Sequence, residues 1–568
     1  MSETQRPVAP PASAGTRPTW THATTEAIKT GTWRAALARH IQAPSPCHQA
    51  CPVNGDIAEW IGLARERDFH SAWQVLARHN PFPAIAGRIC HHPCETACNR
   101  TGYDEALSIC KLERFVGDQA LEQNWSFEAP PQELAQRVAI VGGGPSGLSA
   151  AFQLRRRGYA VTLYESQPEL GGLMRYGIPS YRLSREVLDG EIARIVALGV
   201  QVRCSHPLAD ADALADLQRS HDAVYLATGA AVPKRLPVLD YTQPWVTDGA
   251  AYLAAANAGR ALPLGRRVVV VGGGSAALDA ARSARRAGHA VTLLALEARN
   301  QMPAQAEEVT EALEEGIEVV NSARLDGATV AADGVTLACS RVQFVPGAQR
   351  GQFSLVPVEG GSFALQADAI VTSIGADPAL AQLPPGWATE RGLLHADRQQ
   401  ATSAPGVWAG GDVASMARFV TEAVGMGKRA ALAIDRALRQ ARGEGEVSTP
   451  VSPWVQPRDE AVPLSAISIF YHPKNARAHA PLLGAQERLA SGSEVQLGLE
   501  IEQALAETER CFSCGTCIHC DNCVIYCPDM AVQPRDGGYT VLTDYCKGCG
   551  LCVQECPTGS MAMQEELR

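Results

Sequence analysis

The distribution of cysteine is the strongest constraint on this chain. Of its 18 cysteines, six lie between Cys47 and Cys110 and ten lie between Cys511 and Cys556, which leaves only Cys204 and Cys339 elsewhere. Disulfides of a secreted protein would be spread along the sequence, whereas clustered thiols in a reducing compartment are typical of metal ligands. The first twenty residues contain no apolar segment of the kind found in export signals. We therefore predict a cytoplasmic protein with metal sites near both ends of the sequence.

The second cysteine block contains two ligand runs with the same spacing. Each run reads C-x2-C-x2-C-x3-C-P, which is the pattern of a bacterial ferredoxin domain with two [4Fe–4S] clusters. In that pattern the fourth cysteine of each run ligates the other cluster. The predicted ligand sets are Cys517, Cys520, Cys523 and Cys556 for one cluster, and Cys546, Cys549, Cys552 and Cys527 for the other. Structural zinc is the alternative for CxxC pairs, but two matched runs with a proline after each favour clusters.

Two further cysteines precede the first run at the same CxxC spacing. Cys511 and Cys514 could be alternative ligands, half of a zinc site or free thiols, and the sequence leaves these three interpretations open.

The middle of the chain contains an internal repeat. Residues 138–165 resemble residues 268–297, and each copy predicts a strand, a glycine-rich turn, a helix and a second strand. The turns are Gly142-x-Gly144-x-x-Gly147 and Gly272-x-Gly274-x-x-Ala277, both variants of the dinucleotide-binding fingerprint. Such glycines let the backbone approach a pyrophosphate at a helix N-terminus. Glu165 ends the second strand of the first copy, where an acid can bind a ribose.

Two segments outside the repeat add a family resemblance. Residues 171–179, GGLMRYGIP, and 410–412, GGD, are similar to the small (β) subunit of bacterial glutamate synthase. The wider family includes the flavin half of dihydropyrimidine dehydrogenase and the large subunit of transhydrogenases that couple NADH, NADPH and ferredoxin. The resemblance covers roughly residues 45–435. It implies FAD in the first repeat domain, with Glu165 on the adenosine ribose and Asp412 on the ribityl–phosphate region, and a nicotinamide nucleotide in the second. Other cofactor contacts that it implies are at Gly172, Leu173, Arg175, Gly411, Thr421 and Gly375.

The choice between NADH and NADPH depends on the end of the second strand in the second repeat. NADPH-using members of the family carry two arginines there, whereas this chain has Leu296 and Glu297. A carboxylate would repel a 2′-phosphate and could bind a free ribose diol. The strict repeat equivalent of Glu165 is Ala295, however, and Arg299 could reach a phosphate. On balance the sequence favours NADH.

The same resemblance gives the first cysteine block its roles. It implies a [4Fe–4S] cluster on Cys51, Cys90, Cys94 and Glu113. A second family cluster would use Cys47, Cys98 and two cysteines upstream of Cys47, but none precedes Cys47. We therefore predict three clusters, about twelve irons per chain, with Cys110 as a buried thiol.

These features predict a multidomain protein. It combines an α-helical iron–sulfur domain, two Rossmann-like α/β domains for FAD and NAD(P), and an α+β bacterial ferredoxin-like domain. The predicted segments are a disordered tail over 1–29, the helical domain over 30–135, the FAD domain over 136–265 and 385–438, the NAD(P) domain over 266–384, a linker over 439–505 and the ferredoxin domain over 506–568.

The predicted function is electron transfer between NAD(P)H and a ferredoxin or a partner enzyme subunit in a hetero-oligomer. Hydride transfer needs placement rather than acid–base groups, so no catalytic residue is assigned. A net charge of −10 argues against nucleic-acid binding, and no apolar stretch predicts a membrane span. A glutamate synthase small subunit and a structural electron conduit with silent nucleotide sites are the alternatives. Residues 511–568 carry seven acids and three bases, a net of −4, which predicts a basic docking surface on the partner.

Overall fold

The computed structural model describes residues 29–331, 333–348, 351–387, 389–445 and 453–566. The predicted disordered tail lies outside the described residues except for Lys29.

The N-terminal part consists of a strand followed by short helices. The strand β1 spans Ala36–Gln42, and the helices are α1 (Pro46–Ala50), α2 (Ile57–Arg65), α3 (Phe69–Ala77), α4 (Pro83–Ile89), α5 (Pro93–Thr96) and α6 (Ile109–Glu122). Ser45 caps α1 and Asp68 caps α3, each accepting a backbone N–H of the first turn. Trp60 and Trp73 are almost fully buried in the helical core. Of the helical domain predicted over 30–135, residues 46–122 contain the helices, whereas residues 36–42 form a strand.

The first nucleotide-binding domain is a parallel five-stranded sheet. Its elements are β2 (Arg137–Val141), α7 (Pro145–Arg155), β3 (Ala160–Tyr164), α8 (Leu173–Tyr176), α9 (Arg185–Ala197), β4 (Gln201–Arg203), α10 (Ala211–Ser220) and β5 (Ala223–Leu226). The fifth strand, Val407–Ala409, comes from much later in the chain and pairs with β5. Strands β2 and β5 are buried along nearly their whole length, as expected for a parallel sheet covered on both faces.

The second domain repeats this architecture and adds an antiparallel sheet. Its elements are β6 (Val232–Pro233), β7 (Val246–Asp248), α11 (Gly249–Asn257), β8 (Arg267–Val271), α12 (Ser275–Arg286), β9 (Ala290–Leu294), α13 (Ala306–Glu314), β10 (Glu318–Val320), β11 (Ala323–Ala331), β12 (Gly334–Pro346), β13 (Phe353–Ala367), β14 (Ala369–Thr372) and β15 (Ala376–Asp377). The hairpin of β16 (Thr389–Glu390) and β17 (Leu393–Leu394) follows, and Leu394 packs in the core of the first domain. The parallel sheet has the order β10-β9-β8-β14-β7.

The first boundary of this domain differs from the expected one. Strand β7 pairs with β14, so residues 246–248 belong to the second sheet although the sequence predicts them in the first domain. No glycine-rich turn follows this short strand, and such a turn was the sequence feature that indicated where a domain begins.

The chain then returns to the first domain and continues to the C-terminal module. Strand β18 (Val407–Ala409) and helix α14 (Val420–Ala441) complete the first domain. The remaining elements are β19 (Gln456–Pro457), α15 (Ala485–Ala490), α16 (Ile501–Thr508), α17 (Asn522–Ile525), β20 (Val532–Arg535), β21 (Gly538–Val541), α18 (Leu551–Gln554) and β22 (Met561–Glu565). Helix α16 directly precedes the second cysteine block. No helix in the described part of the chain is long and apolar enough to cross a bilayer.

The two ends of the described chain are joined. Strand β1 pairs antiparallel with β22, so that Ala36 lies opposite Glu565 and His40 opposite Met561. The predicted linker over 439–505, described except for 446–452, is fastened to the helical domain. Arg88 and Arg114, both nearly buried, form ion pairs with Glu494 at 2.7 and 2.9 Å.

Candidate cofactor sites and metal centres

The glycine-rich turn of the first domain leaves no space for side chains at two of its glycines. A Cβ at Gly142 would lie 2.2 Å from the carbonyl oxygen of Ala227, and one at Gly147 would lie 1.9 Å from that of Gly142. A Cβ at Gly144, in contrast, would have no heavy atom closer than 3.9 Å. The turn is therefore tightly packed on the sheet side and open on the other, as a backbone cradle for a pyrophosphate requires.

Glu165 lies against this turn. Its Oε2 accepts the N–H of Gly143 at 2.7 Å, and its Oε1 accepts the N–H of Gln167 at 2.7 Å. The carboxylate is thus held at the end of β3 beside the cradle, where an adenosine ribose is expected.

The remaining predicted FAD residues surround the same cradle. Gly172 adopts φ +53°, and a Cβ there would lie 2.8 Å from Cα of Gly144. Leu173 is 52% exposed beside it, while Arg175 is held by the carbonyl oxygen of Leu170 at 2.6 Å. Asp412 follows Gly411, and burial raises the pKa of its carboxyl group. Such a partly buried acid, with Arg418 3.9 Å away, fits a role in accepting ligand hydroxyls.

The second turn has the same construction with a different acid. A Cβ at Gly272 would lie 2.3 Å from the carbonyl oxygen of Ser373, and Gly274 is open to 3.9 Å. Glu297 Oε2 lies 2.4 Å from the position of a Cβ at Gly273. Glu297 therefore occupies the position that Glu165 has beside Gly143 in the first domain. Ala295, its strict sequence equivalent, is fully buried in the core.

Two other predicted residues of the second domain lie near this turn. Ala277 is buried in the first turn of α12, where the fingerprint requires a small residue for helix–strand packing. Gly375 follows β14 with φ +97°, in the left-handed region that favours glycine.

The predicted N-terminal ligands lie together in a buried site. Burial raises the pKa of the Cys51 thiol to about 11 and that of Cys90 to about 12, and nearby Glu113 raises both further. Burial also raises the pKa of Glu113 to about 7, although Asn80 donates a hydrogen bond to it at 2.8 Å. The pKa of Cys94 is raised by burial and by its neighbours Cys90 and Cys51. Four largely buried groups that become anions on deprotonation fit a bound cationic centre, because the metal compensates their charge.

This site touches the cofactor side of the first domain. The Cys90 thiol donates to Thr421 Oγ1 at 3.6 Å, and the rings of His91 and Phe419 stack with centroids 3.9 Å apart. A Cβ at Gly425 would lie 2.2 Å from the carbonyl oxygen of Pro52. The start of α14 is therefore in direct contact with the ligand loops.

The first ferredoxin ligand set lines one cavity. Its volume is about 300 Å³, and Cys517, Cys520, Cys523 and Cys556 all face it. This is the crossed arrangement that the spacing predicts. His40 from β1 also lines it: its Nδ1 accepts the N–H of Tyr539, so that its Nε2 carries the proton. That buried Nε2 has no hydrogen-bond partner in the described structure, and it fits a donor to an inorganic sulfide.

The second ferredoxin ligand set lies around Cys552. Burial raises the pKa of this thiol to about 12, and the charges of Cys546, Cys527 and Cys549 raise it further. The structure therefore brings together all four residues of the second predicted set.

Four of the seven cysteines outside the predicted clusters also lie together. Cys47 and Cys98 line a cavity of about 360 Å³ with Cys511 and Cys514. Sequence reasoning missed this group because its members come from opposite ends of the chain. The signal in the sequence that could have found it was the presence, in each cysteine block, of cysteines that no predicted cluster uses.

Comparison with protein-family models gives three matches. Residues 136–427 match the pyridine nucleotide-disulphide oxidoreductase model. Residues 25–125 match domain II of dihydropyrimidine dehydrogenase, described as a 4Fe-4S cluster domain, and residues 516–560 match the 4Fe-4S dicluster domain.

Comparison with curated proteins gives relatives with several named activities. The chain is 35% identical over 501 residues to the NADP(+)-dependent formate dehydrogenase subunit beta of Moorella thermoacetica, covering 83% of this chain and 70% of the relative. It is 31% identical to the NAD-dependent dihydropyrimidine dehydrogenase subunit PreT of Escherichia coli, covering 70% and 92%. It is 32% identical to the glutamate synthase [NADPH] small chain of Azospirillum brasilense, covering 71% and 88%.

Proposed function

Because the chain belongs to the pyridine nucleotide-disulphide oxidoreductase family, and carries iron–sulfur domains at both ends, we propose that it passes electrons between NADH and a ferredoxin or partner redox subunit. The resemblance and fold predicted from the sequence are confirmed, as is its assignment as an FAD- and [4Fe–4S]-containing oxidoreductase. It is no disulfide reductase of the usual kind, because residues 136–427 contain only Cys204 and Cys339, which form no CxxC pair. When bound, FAD accepts two electrons from the nicotinamide and releases them singly to clusters.

The observation that carries this proposal is the contact between the N-terminal ligand site and the FAD site. Cys90 donates to Thr421, and the loop at Pro52 packs directly on α14. Lys428, two turns along α14, donates to the carbonyl oxygen of Val53 at 2.6 Å. These contacts hold the two sites at a fixed separation without an intervening hinge.

The test compares two cysteine variants under anaerobic conditions. NADH should bleach the flavin absorbance in the wild type, in Cys90→Ser and in the control Cys204→Ser. Reduction of an added ferredoxin should be lost only in Cys90→Ser. Equal ferredoxin reduction by all three proteins would contradict the proposed path.

Glu297 supports the choice of NADH within this proposal. It lies beside Gly273 as Glu165 lies beside Gly143, which supports Glu297 rather than Ala295 as the acid of the second turn. Burial raises the pKa of Glu297, but as a carboxylate it accepts hydrogen bonds from a ribose diol and repels a 2′-phosphate. The measurement that decides is the ratio of kcat/KM for NADH and NADPH, and a strong preference for NADPH would end this part of the proposal.

Electrons leave, in this proposal, through the ferredoxin module. Cys520 and Cys549, one from each ligand run, are exposed. Two acids of the module are paired with the N-terminal segment, Glu566 with Arg34 and Asp544 with Lys29, which lowers the acidic surface available to a partner. Asp536 and Glu565 remain exposed, so we expect a partner with a basic docking face. Copurification of the native protein identifies that partner.

A further inference from the structure

We propose that Cys47, Cys98, Cys511 and Cys514 bind a fourth [4Fe–4S] cluster, assembled from both ends of the chain. From the sequence alone, Cys47 and Cys98 lack two further ligands, because those ligands would have to precede Cys47, and Cys511 and Cys514 have no assigned role. The structure supplies them from the C-terminal segment instead. The proposal concerns metal content and goes beyond the electron path proposed above.

The four thiols surround one cavity. Its volume of about 360 Å³ is close to the 300 Å³ of the cavity that the ferredoxin set encloses in the same chain. Its walls are otherwise largely apolar, formed by side chains such as Ile57, Ile61 and Phe512. The two cavities are therefore similar in size and in the number of cysteines that line them, and the ligand spacing of the ferredoxin set identifies a [4Fe–4S] cluster.

Hydrogen-bond donors approach the sulfurs as they do around cluster ligands. Asn99 Nδ2 donates to Cys514 Sγ at 3.4 Å, and the N–H of Ser513 donates to Cys511 Sγ at 3.4 Å. Ser45 Oγ lies 3.1 Å from Cys47 Sγ. Such donors stabilise thiolate ligands and tune the potential of a cluster.

The four cysteines line one cavity whose other walls are mostly apolar, so their thiolates would be poorly solvated there. Thiolates gathered in such a cavity require positive charge, which iron supplies.

The C-terminal segment is firmly fixed to the N-terminal helices. Arg510, 1% exposed, donates to the carbonyl oxygen of Glu105 at 2.7 Å, and Arg100 donates to the carbonyl oxygen of Arg510 at 2.9 Å. A Cβ at Gly515 would lie 2.1 Å from the carbonyl oxygen of Ala43. The two halves of the site are therefore preorganised rather than brought together by a flexible tail.

The position of the site explains why such a ligand set is useful. Cys47 is one helical turn before Cys51, whose N–H bonds to the Cys47 carbonyl oxygen at 3.1 Å. Cys514 is three residues before Cys517, a ligand of the ferredoxin module. Cys47 and Cys514 would therefore hold a cluster adjacent to both the N-terminal site and the module, where it would supply a one-electron relay between them.

Metal analysis of the full-length protein, purified anaerobically, tests the proposal. We expect about sixteen irons per chain and no stoichiometric zinc in the wild type, instead of about twelve irons for three clusters. The double variants Cys47→Ser/Cys98→Ser and Cys511→Ser/Cys514→Ser should each lose about four irons and keep FAD. The matched control Cys204→Ser/Cys339→Ser should keep all of them.

Two results would overturn the proposal. One is about twelve irons with one zinc in the wild type, the zinc being lost in either double variant. The other is about twelve irons and no zinc. Both are read on the wild type, so they hold even where a double variant fails to fold. Bleaching of the flavin by NADH is measured on the same samples and reports on the proposed function separately.

Discussion

The substitution Glu297→Gln should shift nucleotide use from NADH toward NADPH. The carboxylate lies beside the second glycine-rich turn, where the 2′-position of a bound nucleotide is expected. Two unit charges about 4 Å apart interact by about 1 kcal/mol in water and about 4 kcal/mol at a partly buried protein site. Glu297 is half-buried, so removal of its charge should relieve about 1–3 kcal/mol of repulsion toward a 2′-phosphate.

This free energy converts directly into a change in specificity. At about 1.4 kcal/mol per factor of ten, kcat/KM for NADPH should rise by about 5- to 140-fold relative to that for NADH. Activity with NADH should change little, because the amide oxygen of glutamine still accepts a ribose hydroxyl. The assay is stopped-flow bleaching of the flavin by each nucleotide.

Glu318→Gln is the matched control. Glu318 is an exposed acid on the neighbouring strand β10, where its Oε2 accepts from Thr292 at 3.4 Å. The control should leave the NADH to NADPH ratio unchanged. An unchanged ratio in Glu297→Gln would refute the assignment of this carboxylate to nucleotide selection. Because burial raises the pKa of Glu297, acidification should protonate it earlier than an ordinary glutamate and so improve the use of NADPH by the wild type.

Further predictions concern stability, cofactor loading and electron exit. Arg182→Met leaves Asp279 and Glu308 buried without their cation and should cost about 3–5 kcal/mol in urea unfolding. Burial raises the pKa of Asp279 to about 6, so the folded state binds its proton more tightly than the unfolded state. The free energy of unfolding should therefore fall as pH rises from about 4 to 6, and in the variant this fall should extend to higher pH. A difference between variant and wild type that does not depend on pH would contradict this. Gly147→Val should abolish FAD retention, measured by absorbance, because a Cβ there lies 1.9 Å from a carbonyl oxygen. His40→Leu should lower the midpoint potential of the adjacent ferredoxin cluster in EPR-monitored titration; an unchanged potential argues against a hydrogen bond from Nε2. Electron transfer to a basic partner should slow as ionic strength rises, and salt-independent rates would exclude electrostatic docking.

The parts of the structure that were predictable carry local signals. The two glycine-rich turns, which begin at Gly142 and Gly272, are predicted from their spacing relative to the flanking strands. The ferredoxin ligand sets follow from eight cysteines within forty residues, from Cys517 to Cys556, and the structure places one set around a single cavity as the crossed pattern requires.

The parts that were not predictable depend on contacts between distant residues. Ala36 pairs with Glu565, and no periodicity within residues 30–45 indicates which strand they join. Strand β7 is only three residues long, and its place in the second sheet is set by β14. Cys98 and Cys511 are separated by 413 residues, since 511 − 98 = 413, so only the folded chain shows them lining one cavity. Glu297 rather than Ala295 reaches the second turn because the chain leaves β9 before it folds back beside Gly273.

Exchange of electrons between the nicotinamide and the clusters tests the central claim most directly. Flavin absorbance and cluster EPR signals are followed in one anaerobic sample, once after addition of NADH and once after reduction of the clusters by a viologen in the presence of NAD⁺. The account predicts that electrons cross in at least one direction in the wild type and in neither direction in Cys90→Ser, while NADH bleaches the flavin in both. A wild-type flavin that is bleached by NADH but exchanges no electron with any cluster would contradict it.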